Sequence, residues 1–157
     1  MRSQMRSTSS MMWVLRKRVV PLFLSSMKIS RISSGSSFEA VAGYSRALVV
    51  EHDGWAEVHI SGVTGFNYAT MTIDEDQAAQ TRQCFATIAK VLGEAGGDLS
   101  HIVRVRYLLT TPAQFGELAP VFGEFLSQVR PAATALVCGL VDERMKLEIE
   151  VDARIPR

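Results

Sequence analysis

The chain has 157 residues, with 17 basic and 16 acidic side chains and a formal net charge of +1. This length accommodates one domain, or one domain with a tail, and a core large enough to need no metal or disulfide. The charge is uneven: residues 1–38 hold seven basic side chains and no acid, whereas residues 39–157 hold ten basic and sixteen acidic ones, a net charge of −6. An acidic body is a poor phosphate binder, so the sequence argues against nucleic-acid binding.

The first 26 residues are basic and rich in Ser and Arg, and several interpretations of them are open. Their two apolar runs are separated by Arg16-Lys17-Arg18, and each run is too short for a signal peptide or a membrane-spanning helix. We predict no membrane partner and a cytoplasmic location. We interpret residues 1–26 as an extension that is disordered or not native, with translation starting at Met27, and residues 27–157 as the domain. An organellar presequence or an unassigned tail are the alternatives.

From Lys28 onward, hydrophobic periodicity predicts strands and helices that share one layered fold. The predicted elements are first a strand opening at Lys28, a Ser/Gly loop over 33–37, strands over 44–50 and 55–61, and a helix from the N-cap Thr72 to about Glu94. There follow a strand over 102–110, a helix starting near Pro112, and a last strand pair over 130–135 and 146–151. Helices that follow strands and pack on one side indicate an α+β two-layer sandwich, with a mixed sheet of about six strands and two helices on one face.

Two of these strands place charge on the sheet face away from the helices. In the last strand, Leu147, Ile149 and Val151 alternate with Lys146, Glu148 and Glu150, and in the 102–110 strand Val103, Val105, Tyr107 and Leu109 alternate with Arg104 and Arg106. Because side chains alternate across a strand, we expect the apolar sets to face the helices and the charged sets to share the other face. A face that combines Arg, Glu and Tyr is typical of an oligomer interface.

No pattern in the chain indicates a cofactor. Cys84 and Cys138 lie far apart among apolar neighbours, which favours two buried thiols. Three scattered histidines, no phosphate-binding glycine loop and no metal-ligand spacing lead us to predict neither a metal nor another cofactor.

Five segments, taken in order and at their spacings, resemble the RidA/YjgF-like family of reactive-intermediate deaminases, over about Lys28 to Ile155. They are Gly43-Tyr44, Ile60-Ser61-Gly62, the helix end over 94–99, Ile102-Val103-Arg104, and the segment from Arg130 to Ala153. The resemblance implies a chorismate-mutase-like homotrimer with small-molecule clefts between adjacent subunits. It also implies hydrolysis of enamines and imines to 2-keto acids and ammonia.

Carried over by position, the resemblance implies that Glu148 positions or deprotonates the attacking water. Tyr44 corresponds to the cleft tyrosine, and the backbone at Gly62 corresponds to the loop that contacts the ligand. The arginine that grips the substrate carboxylate in the family corresponds to Ala133. Alanine supplies none of the bidentate, charge-assisted contact, so this wall of the cleft should favour a less charged or bulkier ligand.

The missing arginine leaves several hypotheses open. Arg106 or Arg46 could bind the ligand's carboxylate instead, or both could form structural ion pairs with Glu148 or Glu150. Glu148 and Tyr44 could likewise be purely structural. The chain is then either an imine deaminase with an altered clamp, or a trimer that binds a metabolite without turnover. A scaffold with no ligand site is a third reading.

Overall fold

The computed structural model describes residues 28–157, and the interpretations of residues 1–27 therefore lie outside the described residues. A six-stranded sheet organises this part of the chain, in the order β1-β2-β3-β8-β6-β7. Neighbouring strands are antiparallel except β6 and β7, which are parallel. Its strands are β1 (Lys28–Ile32), β2 (Ala47–His52), β3 (Trp55–Thr64), β6 (Ile102–Leu109), β7 (Ala132–Val137) and β8 (Leu147–Pro156). A separate hairpin consists of β4 (Phe66–Asn67) and β5 (Thr72–Ile73). The predicted mixed sheet is confirmed.

Two long helices, α2 (Gln77–Glu94) and α3 (Ala113–Leu126), bury their apolar stripes in the core beside the sheet. Phe85 of α2 stacks on Phe125 of α3 with ring centroids 4.4 Å apart, and Tyr107 of β6 stacks on Phe122 at 4.1 Å. These aromatic contacts join the two helices to each other and to the sheet, and they add to the free energy gained by burial. The sheet therefore has one face in the core and one face away from the helices.

The first long helix begins later than the sequence predicts. Thr72 is not its N-cap, because Thr72 lies in β5; Asp76 is the N-cap, and its carboxylate accepts a hydrogen bond from the Ala79 amide at 2.7 Å. Asp and Thr are both good N-caps, so residue type does not distinguish Thr72 from Asp76. Thr72 belongs instead to the β4–β5 hairpin, which local signals did not indicate. The predicted end at Glu94 is confirmed.

The chain ahead of β2 also differs from the prediction. A short helix, α1 (Ser37–Ala42), begins at the last residue of the predicted Ser/Gly loop. Gly43 ends this helix with φ of 74°, a left-handed conformation that favours glycine. As a result, β2 begins at Ala47 rather than at Tyr44, and Tyr44 and Arg46 precede the strand. Their positions are set by the turn after α1.

On β6 the predicted alternation holds except at its start. Val105, Tyr107 and Leu109 are buried as expected, but Val103 is exposed. The β6–β8 register shifts between Ile102 and Arg104, and an extra residue of this kind turns the side chain beside it to the other face. Among residues 28–157, no helix combines the length and apolar character that crossing a membrane requires.

Candidate functional site

A pocket of about 570 Å³ lies where α1, the β3–β4 junction and the segment before β8 meet. Four of the residues predicted for the site line it, namely Tyr44, Arg46, Gly62 and Glu148. They come from three separate parts of the chain, so the fold alone brings them together. The other two predicted residues, Arg106 and Ala133, do not line this pocket.

Glu148 and Gly62 approach each other so closely that no side chain fits at residue 62. A Cβ on Gly62 would overlap Glu148 Oε1 and would lie 2.5 Å from its Cδ. Gly62 lies at a bulge, because the pairing of β3 with β8 shifts register between Ile60 and Val63. The absence of a side chain at Gly62 therefore leaves space for the Glu148 carboxylate, and the bulge brings Gly62 of β3 next to Glu148 of β8.

Burial raises the pKa of the Glu148 carboxyl above its ordinary value, and the negative charge of Glu150 raises it further. The positive charge of Arg46 opposes this rise. Partial burial disfavours the ionised form, so this carboxylate is a stronger base than an exposed one. A group of this kind in a pocket is a candidate for moving a proton.

Arg46 is buried at the pocket, and its guanidinium contacts other residues of the same chain. Its side chain is 1% exposed, and Nη1 donates to the Gly62 carbonyl at 2.6 Å. The guanidinium lies 4.6 Å from the centroid of the Tyr68 ring, and its Nε is 3.7 Å from Glu39 Oε1. Within residues 28–157, Nε has no hydrogen-bond acceptor. Arg46 therefore holds the Gly62 carbonyl in place by a hydrogen bond, and its positive charge acts on the Glu148 carboxylate.

Arg106 lies outside the pocket and is paired. It donates to Glu150 across the β6–β8 pair, and Asp152 is 4.0 Å away. This is the structural ion pair that the sequence left open as one alternative. Ala133 is exposed on the edge strand β7, opposite Val105 of β6, with β8 beyond. Ala133 thus lies two strands away from β8 and outside the pocket that holds Glu148.

The sequence did not single out several residues that line the pocket. They are Phe38, Phe66, Tyr68, Met71, Met145 and Arg144. The first lies on α1 and the next three on or beside the β4–β5 hairpin, the two elements that local patterns failed to indicate. Arg144 follows a turn in which its amide donates to Asp142 Oδ1 at 2.9 Å. The only available signal was the Asp-Glu-Arg sequence, which is common at turns and carries no function by itself.

Gln80 of α2 holds the segment before β8 against the core. Its side chain is 0% exposed, with Nε2 donating to the carbonyls of Asp74 and Arg144 and Oε1 accepting from the Lys146 amide. We expect Gln80→Ala to lower the free energy of unfolding by roughly 3 kcal/mol, because it leaves buried backbone groups without partners. Urea unfolding beside Gln83→Ala, an α2 control that makes no bond to this segment, measures the effect. Equal losses in both variants would contradict the assigned role.

The fold and pocket define an α+β protein whose mixed sheet carries two helices on one face and a half-buried glutamate in a pocket beside it. Comparison with known proteins assigns this class: the chain belongs to the RidA/YjgF-like family, because the family model described as Endoribonuclease L-PSP matches residues 34–155. The resemblance seen in the sequence is confirmed.

Individual relatives agree with this assignment. Rv2704 from Mycobacterium tuberculosis, a member of the YjgF/YER057c/UK114 family, is 32% identical with a TM-score of 0.72, over 82% of this chain and 100% of its own. RidA from an Antarctic Psychrobacter is 30% identical with a TM-score of 0.65, over 80% and 94%. Uncharacterized protein SCO2049 from Streptomyces coelicolor is 28% identical over 131 residues, 83% of this chain and 95% of that protein.

Proposed function

We propose that this protein hydrolyses a small imine or enamine metabolite, releasing ammonia and a 2-keto acid. The observation that carries the proposal is Glu148, a half-buried carboxylate of raised pKa that is held against Gly62 in a pocket. Family membership supports the same chemistry, since one relative in that family is a RidA protein. The proposal requires neither a metal nor an organic cofactor.

The proposed reaction needs one base and balances with water alone. Glu148 takes a proton from water while the oxygen bonds to the imine carbon, which gives a carbinolamine. Glu148 returns this proton to the nitrogen, which completes the carbinolamine. Glu148 then carries the proton of the new hydroxyl to the nitrogen, the C–N bond breaks, and ammonia leaves as the carbonyl forms. The keto acid and ammonia together account for the imine and one water. Glu148 ends ionised, ready for the next cycle.

We also propose that three copies assemble and that the ligand cleft is completed between them, in the cytoplasm. Two features of the subunit support assembly. All six residues of β7 are exposed, although the strand is apolar and lies at a sheet edge, and exposed edges of this kind usually find a partner. Ala133, whose counterpart in the family contacts the ligand, does not line the pocket of its own chain, so that arrangement requires a neighbouring copy.

The direct test is a coupled assay in which 2-aminoacrylate or 2-iminobutanoate is generated in the presence of the protein. Keto-acid and ammonia release are followed for the wild type and Glu148→Ala, with the spontaneous reaction subtracted. Turnover that depends on Glu148 supports the proposal. An inactive wild type at high concentration, beside an active family member and with assembly verified by light scattering, would refute it.

Restoring an arginine at residue 133 gives a second prediction. We expect Ala133→Arg to raise kcat/KM for 2-iminobutanoate by about tenfold or more, because each additional charge-assisted contact to the carboxylate is worth roughly 1.5–3 kcal/mol. Ala132→Arg, one residue earlier on the same exposed strand, is the matched control, since its side chain points to the opposite face. A gain shared by both variants would reflect charge alone.

A metabolite-binding trimer without turnover is the second candidate, and the absence of arginine at residue 133 favours it. Saturable binding of a keto acid, with no Glu148-dependent turnover, would establish this reading. The endoribonuclease activity in the family description is not part of our proposal, because residues 39–157 carry a net charge of −6, which opposes binding to phosphates.

A further inference from the structure

Arg144 places a second guanidinium at the pocket that contains Glu148. It lies 5.0 Å from the centroid of the Phe66 ring, and its carbonyl accepts the hydrogen bond from Gln80 that anchors this segment. Gln80 therefore fixes the backbone of Arg144, and the planar guanidinium lies against the face of the Phe66 ring. Both contacts orient the guanidinium before a ligand arrives.

One edge of the Arg144 guanidinium is occupied and the other remains available. Nε and Nη2 donate to the two oxygens of Asp142 at 3.0 and 2.7 Å. A guanidinium carries five N–H donors in a rigid fork, so a bidentate partner on one edge leaves Nη1 and one hydrogen of Nη2. Within residues 28–157, Nη1 of Arg144 has no acceptor in hydrogen-bond reach. This second edge matches the geometry of a carboxylate.

The other cations considered for this role are engaged elsewhere. Arg46 is buried and donates to the Gly62 carbonyl, whereas Arg106 is bound to Glu150 outside the pocket. The Arg144 side chain is more than half exposed. Its guanidinium can therefore bind an anion without leaving a buried group unpaired. Of these three arginines, Arg144 has the donors and the position that an anionic ligand needs.

Part of the pocket wall is apolar and exposed, beside the polar side chains of Ser36, Ser61, Thr64 and Asp142. Phe38 is 61% exposed, Met71 53% and Val141 94%, and Phe66 and Met145 line the pocket with them. Large apolar side chains exposed together around a concavity mark a binding surface for an apolar group.

We propose that Arg144 binds the carboxylate of the ligand, and that the ligand is a 2-imino acid with a large apolar side chain, which lies among Phe38, Phe66 and Met71. This assignment rests on the proposed imine hydrolysis and names its substrate class. The bonds formed and broken are those of that reaction, and the carboxylate remains ionised and bound throughout.

The test compares the wild type with Arg144→Gln and with Arg154→Gln as the matched control. Arg154 is also exposed, lies 5.1 Å from the centroid of the Trp55 ring and pairs with Glu57, but it does not line the pocket. An amino-acid oxidase generates the imines of leucine, phenylalanine and alanine in place, and semicarbazide trapping measures how fast each disappears. Circular dichroism verifies that each variant is folded.

We expect the wild type to favour the leucine and phenylalanine imines over the alanine imine by roughly tenfold or more in kcat/KM. Arg144→Gln should lower kcat/KM for the two large imines by about ten- to a hundredfold, mainly through KM. Arg154→Gln should leave both values unchanged. The carboxylate-free imine that an amine oxidase forms from phenethylamine should be insensitive to Arg144→Gln.

Failure of this inference differs from failure of the proposed function. Turnover that is equal in Arg144→Gln and Arg154→Gln, or that favours alanine imine, overturns the inference and leaves imine hydrolysis standing. If no imine is hydrolysed, calorimetric titration with 4-methyl-2-oxopentanoate decides. Binding that Arg144→Gln weakens at least tenfold would support the ligand class without the reaction. Binding that Arg144→Gln leaves unchanged would overturn both the inference about Arg144 and the proposed hydrolysis.

Discussion

Gly62→Ala should abolish turnover while leaving the protein folded. The added Cβ would overlap Glu148 Oε1 and lie 2.9 Å from Cγ, so the carboxylate must rotate away from its present position. A displacement of about 1 Å in a catalytic group can cost a hundredfold in rate, and complete loss of general base catalysis costs roughly 10²–10⁴-fold. Because the overlapping atoms belong to a side chain that can turn, the free energy of unfolding should fall by only about 1–3 kcal/mol.

The matched control for this substitution is Gly116→Ala. Gly116 lies within α3, and a Cβ there meets nothing within 4 Å. Alanine in a helix interior should raise the free energy of unfolding by about 0.5–1 kcal/mol and leave kcat unchanged. Urea unfolding and imine turnover measured on both variants separate the two effects. Full activity in Gly62→Ala would mean that the position of Glu148 does not matter for the reaction.

Glu148→Gln should lower kcat by roughly 10²–10⁴-fold, since an amide of nearly the same shape cannot accept the proton from water. The same substitution should make the protein more stable at neutral pH. The raised pKa of Glu148 shows that the fold disfavours its ionised form, and glutamine removes that charge. A residue that reduces stability and is needed for turnover is expected at a catalytic site.

The pH dependence of stability gives the sign of this effect. A carboxyl whose pKa is raised by folding binds more protons in the folded state than in the unfolded state, so its contribution to stability falls as pH rises from the unfolded pKa through the folded one. Below its ordinary pKa of 4.5, the wild type and Glu148→Gln should unfold at the same urea concentration. The variant's advantage should appear as pH rises above that value and then level off.

Glu124→Gln supplies a control of opposite sign. The hydrogen bonds from Arg82 lower the pKa of the Glu124 carboxyl, so this group stabilises the fold above its ordinary pKa and loses that contribution in acid. Removing the charge of Glu124 should produce no gain in stability at neutral pH and no change in turnover.

If Glu148→Gln is less stable than the wild type at pH 7, hydrogen bonds to the ionised Glu148 carboxylate outweigh the cost of its burial.

Local patterns predicted the large elements because each leaves a periodic signal. Phe85 and Ile88 recur at helical spacing on α2, and Leu147 and Ile149 alternate with acids on β8; all four are buried as expected. The failures have two causes. The β4–β5 hairpin occupies Thr72, and the register shift in β6 exposes Val103. The hairpin pairs near neighbours, but its strands have two residues each and are too short to leave a periodic signal. The β6 shift depends on pairing with β8, which is distant in the chain and which local propensity does not encode.

The sequence alone determined the layered α+β class and the family, because periodicity and short motifs are properties of neighbouring residues. The family resemblance implied Glu148, Gly62, Tyr44 and Ala133 as site residues, and it left Arg46 and Arg106 as candidate cations. Only the tertiary structure separated the arginines. Arg106 pairs with Glu150 across two strands, Arg46 is enclosed beneath Gly62, and Arg144 faces the pocket. Strand register and the positions of α1 and the β4–β5 hairpin decide which guanidinium keeps free donors. Packing between distant segments sets both.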